Sequence, residues 1–356
     1  MGEAPARSAR VGVVGASGFT GALAAALVQG HPALSLELVT SRSDAGRRLD
    51  ELYPRHRVAL ALEAYDPDRC ARCLDAVLVA YPHGAASATV AELRRAGLAV
   101  VDLSADFRLR DVETYRSWYG EHAAVELIAE AVYGLPELHR EAIAAAELVA
   151  GPGCYPTASL LALAPLARAG LLADVVIDAK AGVSGAGRAA TQATHFVSAD
   201  ENVTPYGVGH HRHTPEIEQE LATLGAPGPI TFTPHLLPLD QGELVSAYVR
   251  PSRQLDQAEL DDLYRDAYQD EPFVELAAGP PGVRDVHATN VCRIFVHADP
   301  RTGRVSCFAA LDNLWKGAAA QAVQCLNLML GRPEGEGLGP TAVAPTRRLM
   351  RKGLGR

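Results

Sequence analysis

The chain has 356 residues, 48% apolar and 21% charged, with a formal net charge of −9, a balance that excludes disordered, collagenous and fibrous architectures and leaves room for two domains. An acidic chain without a lysine- or arginine-rich stripe points away from nucleic acid and toward small-molecule partners, because phosphate-backbone binding relies on clustered positive charge. Residues 1–10 lack the apolar segment of a secretory leader, Ala6 stands where myristoylation behind Gly2 needs Ser or Thr, and no window approaches the ~18 apolar residues of a span, so no membrane association is expected and the cytoplasm is the expected compartment.

From Val11 a short β-rich run enters a turn carrying Gly12, Gly15, Gly18 and Gly21, then an alanine- and leucine-rich helix to about Gln29. Strands are predicted over 35–40, 76–80 and 98–103, with a helix through Ala96 after Tyr81-Pro82-His83-Gly84. Strands alternating with helices imply parallel βαβ units with ligands at the carboxyl ends of the strands, so the first ~150 residues read as a doubly wound domain. After Cys154 a helix over 157–169 precedes strand-like runs at 175–179, 230–234, 243–250, 290–298 and 304–311. Fewer helices separate these runs, which predicts a second, α+β domain with a largely antiparallel sheet. A helix over 316–330 is closed by Gly331 and Pro333, and the tail from Gly335, ending in Arg347, Arg348, Arg351, Lys352 and Arg356, reads as a solvated basic end.

Gly12, Gly15 and Gly18 follow a strand and open a helix, where missing side chains let backbone amides approach a pyrophosphate; Ala16, Ser17, Phe19 and Thr20 complete the loop. Such spacing alone also fits a merely tight turn, and the βαβ context is what favours a nucleotide, making this a Rossmann-type domain. A site for NAD normally places Asp or Glu at the end of the second strand, whereas this chain reads Thr40-Ser41-Arg42-Ser43. A guanidinium beside hydroxyls suits a 2′-phosphate, so NADP is the expected cofactor.

Six cysteines are too sparse for a disulfide framework. Cys292, Cys307 and Cys325 sit in apolar segments and read as core, and the Cys70-x-x-Cys73 pair lacks the second pair a zinc site needs. Cys154 differs: Gly151-Pro152-Gly153-Cys154-Tyr155-Pro156-Thr157 is a turn that sets a thiol at the start of a helix, where dipole and free amides favour thiolate. The competing reading is a small residue tolerated in a turn. A thiolate nucleophile needs a partner that exchanges protons near neutral pH, and the densest histidine cluster is His210-His211-Arg212-His213. No well-spaced cysteine or carboxylate ligands accompany it, so no metal is expected; solvated histidines without a role remain the other alternative. Arg108 and Arg188 follow strand-like runs and suit a phosphate or carboxylate, against the alternative of structural ion pairs.

These segments together resemble the N-acetyl-γ-glutamyl-phosphate reductases, NADP-dependent enzymes of arginine biosynthesis in the aspartate-semialdehyde-dehydrogenase-like superfamily. The match runs along nearly the whole chain, through Gly15-Ala16-Ser17-Gly18-Phe19-Thr20-Gly21, Asp102-Leu103-Ser104-Ala105-Asp106-Phe107-Arg108, Tyr133-Gly134-Leu135-Pro136-Glu137, the Cys154 turn, Gly182-Val183-Ser184-Gly185-Ala186-Gly187-Arg188, His211-Arg212-His213-Thr214-Pro215-Glu216 and Asp312-Asn313-Leu314-Trp315-Lys316-Gly317. The resemblance implies that Cys154 is the nucleophile and His213 the general acid/base. It also implies that Asn313, with Ser184 and Gly185, serves the cofactor, and that His211, with Arg108 and Arg188, serves the substrate. It implies further a domain formed by 1–153 with 315–356, a catalytic and oligomerisation domain at 154–314, and a homodimer or homotetramer. Gly151, Ala181 and Gln241 depart from the family's usual Asn, Ser and Arg in loops near the expected site.

The implied reaction is NADPH-dependent reduction of an acyl phosphate, through a thioester on Cys154, to an aldehyde and phosphate. A related branch takes an aminoadipyl or glutamyl phosphate held by an acidic carrier protein, which calls for a basic docking patch that a charge of −9 does not favour. A non-catalytic NADP-binding paralogue would not need both Cys154 and His213. Aspartate-semialdehyde dehydrogenase on the same scaffold is set apart by the His211–Glu216 segment.

Overall fold

The computed structural model describes residues 8–226 and 228–339. The tail arginines from Arg347 onward and most of the amino-terminal segment read for a leader lie outside the described residues. The described chain divides into two compact units: the residues up to Gly153 together with Ala318–Gly339, and Cys154–Gly317. Among the described residues no helix is long and apolar enough to cross a membrane.

In the first unit, β1 (Ala9–Val14), α1 (Phe19–Gln29), β2 (Leu34–Thr40), α2 (Leu49–Leu52), α3 (Pro67–Cys73), β3 (Ala76–Val79), α4 (Ser87–Arg95), β4 (Ala99–Asp102), α5 (Val112–Tyr119), β5 (Val132–Tyr133), α6 (Pro136–Ala144) and β6 (Leu148–Ala150) follow one another. All strand pairings are parallel and the order is β2-β1-β3-β4-β6-β5. The central strands are apolar on both faces, as a parallel sheet covered by helices requires: every residue of β3 is buried. The chain leaves β1 toward β2 on one side and resumes at β3 on the other. That switch point opens a crevice beyond the carboxyl end of β1, where the glycine turn lies. Asp66 and Asp111 accept the amides of Arg69 and Thr114 and so start α3 and α5. Those two helices, with α2, α6, β5 and β6, carry weaker periodicity and were not anticipated from sequence.

In the second unit, α7 (Cys154–Arg168), β7 (Leu172–Gly182), α8 (Phe196–Ala199), β8 (Thr204–Pro205), α9 (Thr214–Thr223), β9 (Thr231–Leu237), β10 (Glu243–Pro251), α10 (Gln257–Tyr268), β11 (Val274–Leu276), β12 (Cys292–Ala298) and β13 (Val305–Leu311) build a seven-stranded sheet of order β11-β12-β13-β10-β7-β9-β8. The sheet is largely antiparallel, as expected, through β10 with β13, β10 with β7, β12 with β13 and β8 with β9, while β11 with β12 and β7 with β9 pair in parallel. The parallel pairing arises where helical connections, unread in the sequence, return the chain to the same end. α11 (Ala320–Met329) belongs to the first unit and follows a π turn at Trp315–Ala319, so the predicted 316–330 helix is right in place but irregular at its start.

Residues 155–167 of α7 are all buried, so this helix has no solvent face and forms the centre of its unit. Pro165 inside it cannot donate to the carbonyl of Leu161. The Tyr268 hydroxyl, from α10, donates to that carbonyl at 2.6 Å, and Tyr264 donates to the next one, Ala162. Cys292, Cys307 and Cys325 are fully buried, the core positions expected for them.

Candidate active site

In the first unit the glycine turn runs from β1 into α1. Gly15 has φ +87°, and a Cβ there would meet the carbonyl oxygen of Ala80 at 2.7 Å, so only glycine fits the close approach of the two strand ends. Gly21 faces the same turn, where a Cβ would fall 2.4 Å from the Gly15 oxygen, and Gly12 packs under Leu74. Gly18 caps α1 without any side-chain hydrogen bond, and a Cβ on it would meet nothing nearer than 3.9 Å. The first amides of α1 are therefore not taken by a capping side chain, as a phosphate site requires. Ala16 is buried in the turn, and Phe19 and Thr20 open the helix.

The end of β2 joins this loop through Ser17 and Ser41, whose hydroxyls are 2.8 Å apart. Arg42 is exposed and lies over the Tyr81 ring, 4.2 Å from its centroid, which orients a guanidinium at low entropic cost. Arg108 follows β4 in the loop that runs on to α5. It is 4% exposed, and its guanidinium donates to the carbonyls of Gly151 at 2.7 Å and Leu103 at 3.0 Å. It fastens two loops together.

In the second unit Cys154 is the first residue of α7 and is half-buried. Gly317 packs on it: a Cβ at 317 would lie 2.7 Å from the Cβ of Cys154. The neighbouring Tyr155 ring forms the floor of an aromatic cluster, with centroids of His211 and His213 each 5.9 Å away and Phe232 at 5.5 Å. The two histidine rings stand 4.9 Å apart, and Tyr206 donates its hydroxyl to that of Tyr155 at 3.3 Å. The fold thus brings the histidine segment, which caps α9, to the residue beside the thiol.

His211 accepts the His213 amide on Nδ1 at 3.2 Å. Burial, reinforced by Arg212 and His210, depresses its pKa to about 4, so it is neutral at ordinary pH. Burial likewise raises the Tyr155 hydroxyl far above its ordinary value and pushes Tyr206 to about 12.

Asn313 holds the other side of this unit's loops. Its Oδ1 accepts the Gly242 amide at 2.8 Å and its Nδ2 donates to the Ser184 hydroxyl at 3.0 Å. Gly185 lies beside it, where a Cβ would meet Asn313 Nδ2 at 3.7 Å. The turn bearing Asn313 is fixed by the fully buried Asp312 carboxylate, which accepts the amides of Ala288 and Leu314, each at 2.9 Å. Arg188 is exposed on the loop that follows Ser184 and Gly185.

Tyr155, Tyr206 and Glu243 join this cluster without having been singled out from sequence. Glu243 is fully buried at the start of β10. The available signal was its register: Glu243, Val245, Ala247 and Val249 alternate onto one buried face, and a carboxylate heading such a row is out of place in a core. Among the described residues no group of three or more His, Cys, Asp or Glu is placed to hold a metal ion.

Comparison with known proteins agrees with this layout. Residues 10–146 match the semialdehyde dehydrogenase NAD binding domain, and residues 154–313 match the semialdehyde dehydrogenase dimerisation domain. Proteins named N-acetyl-gamma-glutamyl-phosphate reductase are similar throughout. That of Halorhodospira halophila is 51% identical over 344 residues, covering 94% of this chain and 99% of that one. That of Desulforudis audaxviator is 48% identical over 339 residues, covering 92% and 97%. Among solved structures, aspartate semialdehyde dehydrogenase II of Vibrio cholerae, complexed with ASA, has a TM-score of 0.71 at 19% identity, covering 92% of this chain and 99% of that chain. Aspartate semialdehyde dehydrogenase of Candida albicans with NADP has 0.69 at 13%, covering 91% and 98%. The solved structures establish the shared fold, and the full-length sequence similarity establishes more: the chain belongs to the N-acetyl-gamma-glutamyl-phosphate reductase family.

Proposed function

We propose that this chain reduces N-acetyl-γ-glutamyl phosphate with NADPH to N-acetylglutamate semialdehyde and phosphate, a step of arginine biosynthesis. The observation that carries the reading is the assembly of a helix-opening thiol, Cys154, with His211 and His213 around one tyrosine ring, in a chain 51% identical to a protein of that name.

NADP fits the first unit. The uncapped amides of α1 after Gly15 and Gly18 would take the pyrophosphate, with Ser17, Ser41 and Arg42 toward a 2′-phosphate. Gly12, Ala16, Phe19 and Thr20 shape that loop, while Ser184, Gly185 and Asn313 are the proposed contacts from the second unit. When bound, NADPH supplies the hydride that converts a thioester to a hemithioacetal.

The chain's own groups supply the rest. The Cys154 sulfur, at the positive end of the α7 dipole, attacks the acyl carbon, and the carbon–oxygen bond to phosphate breaks as phosphate leaves with the electron pair. Amides opening α7 stabilise the oxyanion. His213 gives a proton to that oxygen and takes it back as the carbon–sulfur bond breaks, releasing aldehyde. His211 is neutral and donates a hydrogen bond through Nε2, with its Nδ1 already occupied by the His213 amide. Arg188 is the proposed guanidinium for the substrate's anionic groups, and Arg108 positions the loop ending at Gly151.

The enzyme is proposed to work in the cytoplasm, with 8–153 and the returning helix as the NADP-binding domain. The second unit is then the catalytic and oligomerisation domain of a homodimer or homotetramer. Phe196, Val197, Val203 and Val208, between 58% and 79% exposed, supply the apolar surface such an interface needs.

The test is phosphate-dependent reduction of NADP by N-acetylglutamate semialdehyde, comparing wild type with Cys154→Ser and His213→Asn. Turnover in wild type, abolished in the cysteine variant and lowered about 10²- to 10⁴-fold in the histidine variant, is the expected result. Absence of turnover with NADP binding intact would move the substrate to a carrier-bound acyl phosphate.

A further inference from the structure

Glu243 sits directly opposite Ala181 on one neighbouring strand and Leu311 on the other. Cross-strand partners share a face, so the carboxyl is flanked by two side chains with no polar atom. It is fully buried, and neither of its oxygens completes a hydrogen bond of ordinary geometry within the described residues. Such a group needs a partner or a proton.

The surroundings of Glu243 lead to the thiol. Leu311 reaches the site of Gly317, where a Cβ would lie 3.2 Å from Leu311 Cδ1, and the same Cβ would touch Cys154. Glu243, opposite Leu311, therefore lies near the start of α7, and Cys154 is the group there that acts on its carboxyl, opposing the effect of burial. Other ionisable groups around it are Asp312 past the end of β13, Tyr155 on α7 and Tyr206 after β8. Among these none is cationic. A carboxylate here would face a buried carboxylate and two tyrosine hydroxyls held neutral by burial.

We propose that Cys154 and Glu243 share one proton, with Glu243 receiving it when the sulfur becomes nucleophilic. This rests on the thioester route above and adds the destination of the thiol proton. The S–H bond of Cys154 breaks and an O–H bond forms on Glu243. The sulfur electron pair then forms the carbon–sulfur bond, and phosphate leaves with the pair from the broken carbon–oxygen bond. When the hemithioacetal collapses the pair returns to sulfur, and Glu243 still holds its proton for exchange with the thiolate. His213 is thereby left to serve the carbonyl oxygen. Burial, with repulsion from Asp312 opposed by Cys154, pushes the Glu243 carboxyl to about 8, close enough to a thiol for one proton to serve both.

The experiment is the pH dependence of iodoacetamide alkylation at Cys154, resolved by peptide mass analysis with partly buried Cys73 as internal reference. A shared proton gives wild type a two-step profile, with a plateau of partial thiolate between the steps, and Glu243→Gln collapses it to a single step. Superimposable profiles in the two proteins overturn the proposal while leaving the nucleophile intact. Alkylation of Cys154 no faster than Cys73 in wild type overturns the thioester reading itself. Should Glu243→Gln not fold, infrared titration of the buried carboxyl band in wild type and Cys154→Ala serves instead. A midpoint that shifts when the thiol is removed is expected, and an unmoved midpoint refutes the shared proton.

Discussion

Gly317 and Cys154 touch so closely that a single methyl at 317 would fall 2.7 Å from the Cys154 Cβ and 3.2 Å from its Cα. The backbone of the turn after Asn313 is therefore the wall against which the thiol is set. Gly317→Ala has no flexible side-chain end to displace, so the start of α7 must shift. Overpacking of this kind costs about 1–3 kcal/mol, and the expected outcome is a lowered Tm together with a kcat loss larger than any change in KM. Calorimetry and steady-state kinetics check it.

Glu243 makes stability depend on alkaline pH in a defined direction. Its folded carboxyl is raised to about 8 against an ordinary 4.5, so between those values the folded state holds a proton that the unfolded state has lost. Stability from this group is present at acid pH and lost as pH rises through that window. Thermal unfolding from mildly acid to alkaline pH should show a decline in wild type that is flattened in Glu243→Gln.

His211 acts on the acid side. Its pKa is lowered to about 4 from 6.5, so between those values the unfolded chain binds a proton that the folded one refuses, and stability falls as pH drops from 6.5 toward 4. His211→Phe should remove part of that acid sensitivity. Histidine NMR titration should show a resonance, lost in the variant, that does not titrate near neutrality.

Asn313 satisfies two groups at once, the Gly242 amide and the Ser184 hydroxyl. Asn313→Leu leaves both buried partners without their bonds, at about 1–3 kcal/mol for each unsatisfied group. Urea unfolding should show that loss, and cofactor affinity should fall with it if these loops hold the nicotinamide end. Ser184→Ala, which removes one bond only, should cost less.

Arg42 separates the two nicotinamide cofactors. Replacing it with Ala should lower kcat/KM for NADPH about 10- to 100-fold, the scale of a charge-assisted hydrogen bond, and leave NADH within about twofold. Equal losses with both cofactors would show that the guanidinium stacked on Tyr81 is structural.

Some of this protein was legible in one dimension because its causes are local. The glycine turn announces itself: Gly15 must adopt a positive φ and Gly21 must admit a carbonyl within its missing Cβ, and both needs write glycine into the chain. The alternation of buried strands with helices produces the parallel sheet, and the thiol at the start of α7 follows from the turn that precedes it. Long β7, β10 and β13 were placed by their apolar alternation, whereas short β5, β8 and β11 carry two or three residues each and no period to read.

The chemistry of individual side chains was decided elsewhere. Arg108 and Arg188 look alike in sequence, each an arginine in a polar loop after a strand, yet one is gripped by backbone carbonyls and the other is exposed. Glu243 looks like the polar end of a strand, and only the packed sheet, with Ala181 and Leu311 on either side, shows that its carboxyl is fully buried. What a sequence determines by itself is what backbone conformation and hydrophobic period demand of nearby residues. The ionisation and partner of a side chain depend on which distant residues exclude water from it, and that is a property of the packed tertiary structure alone.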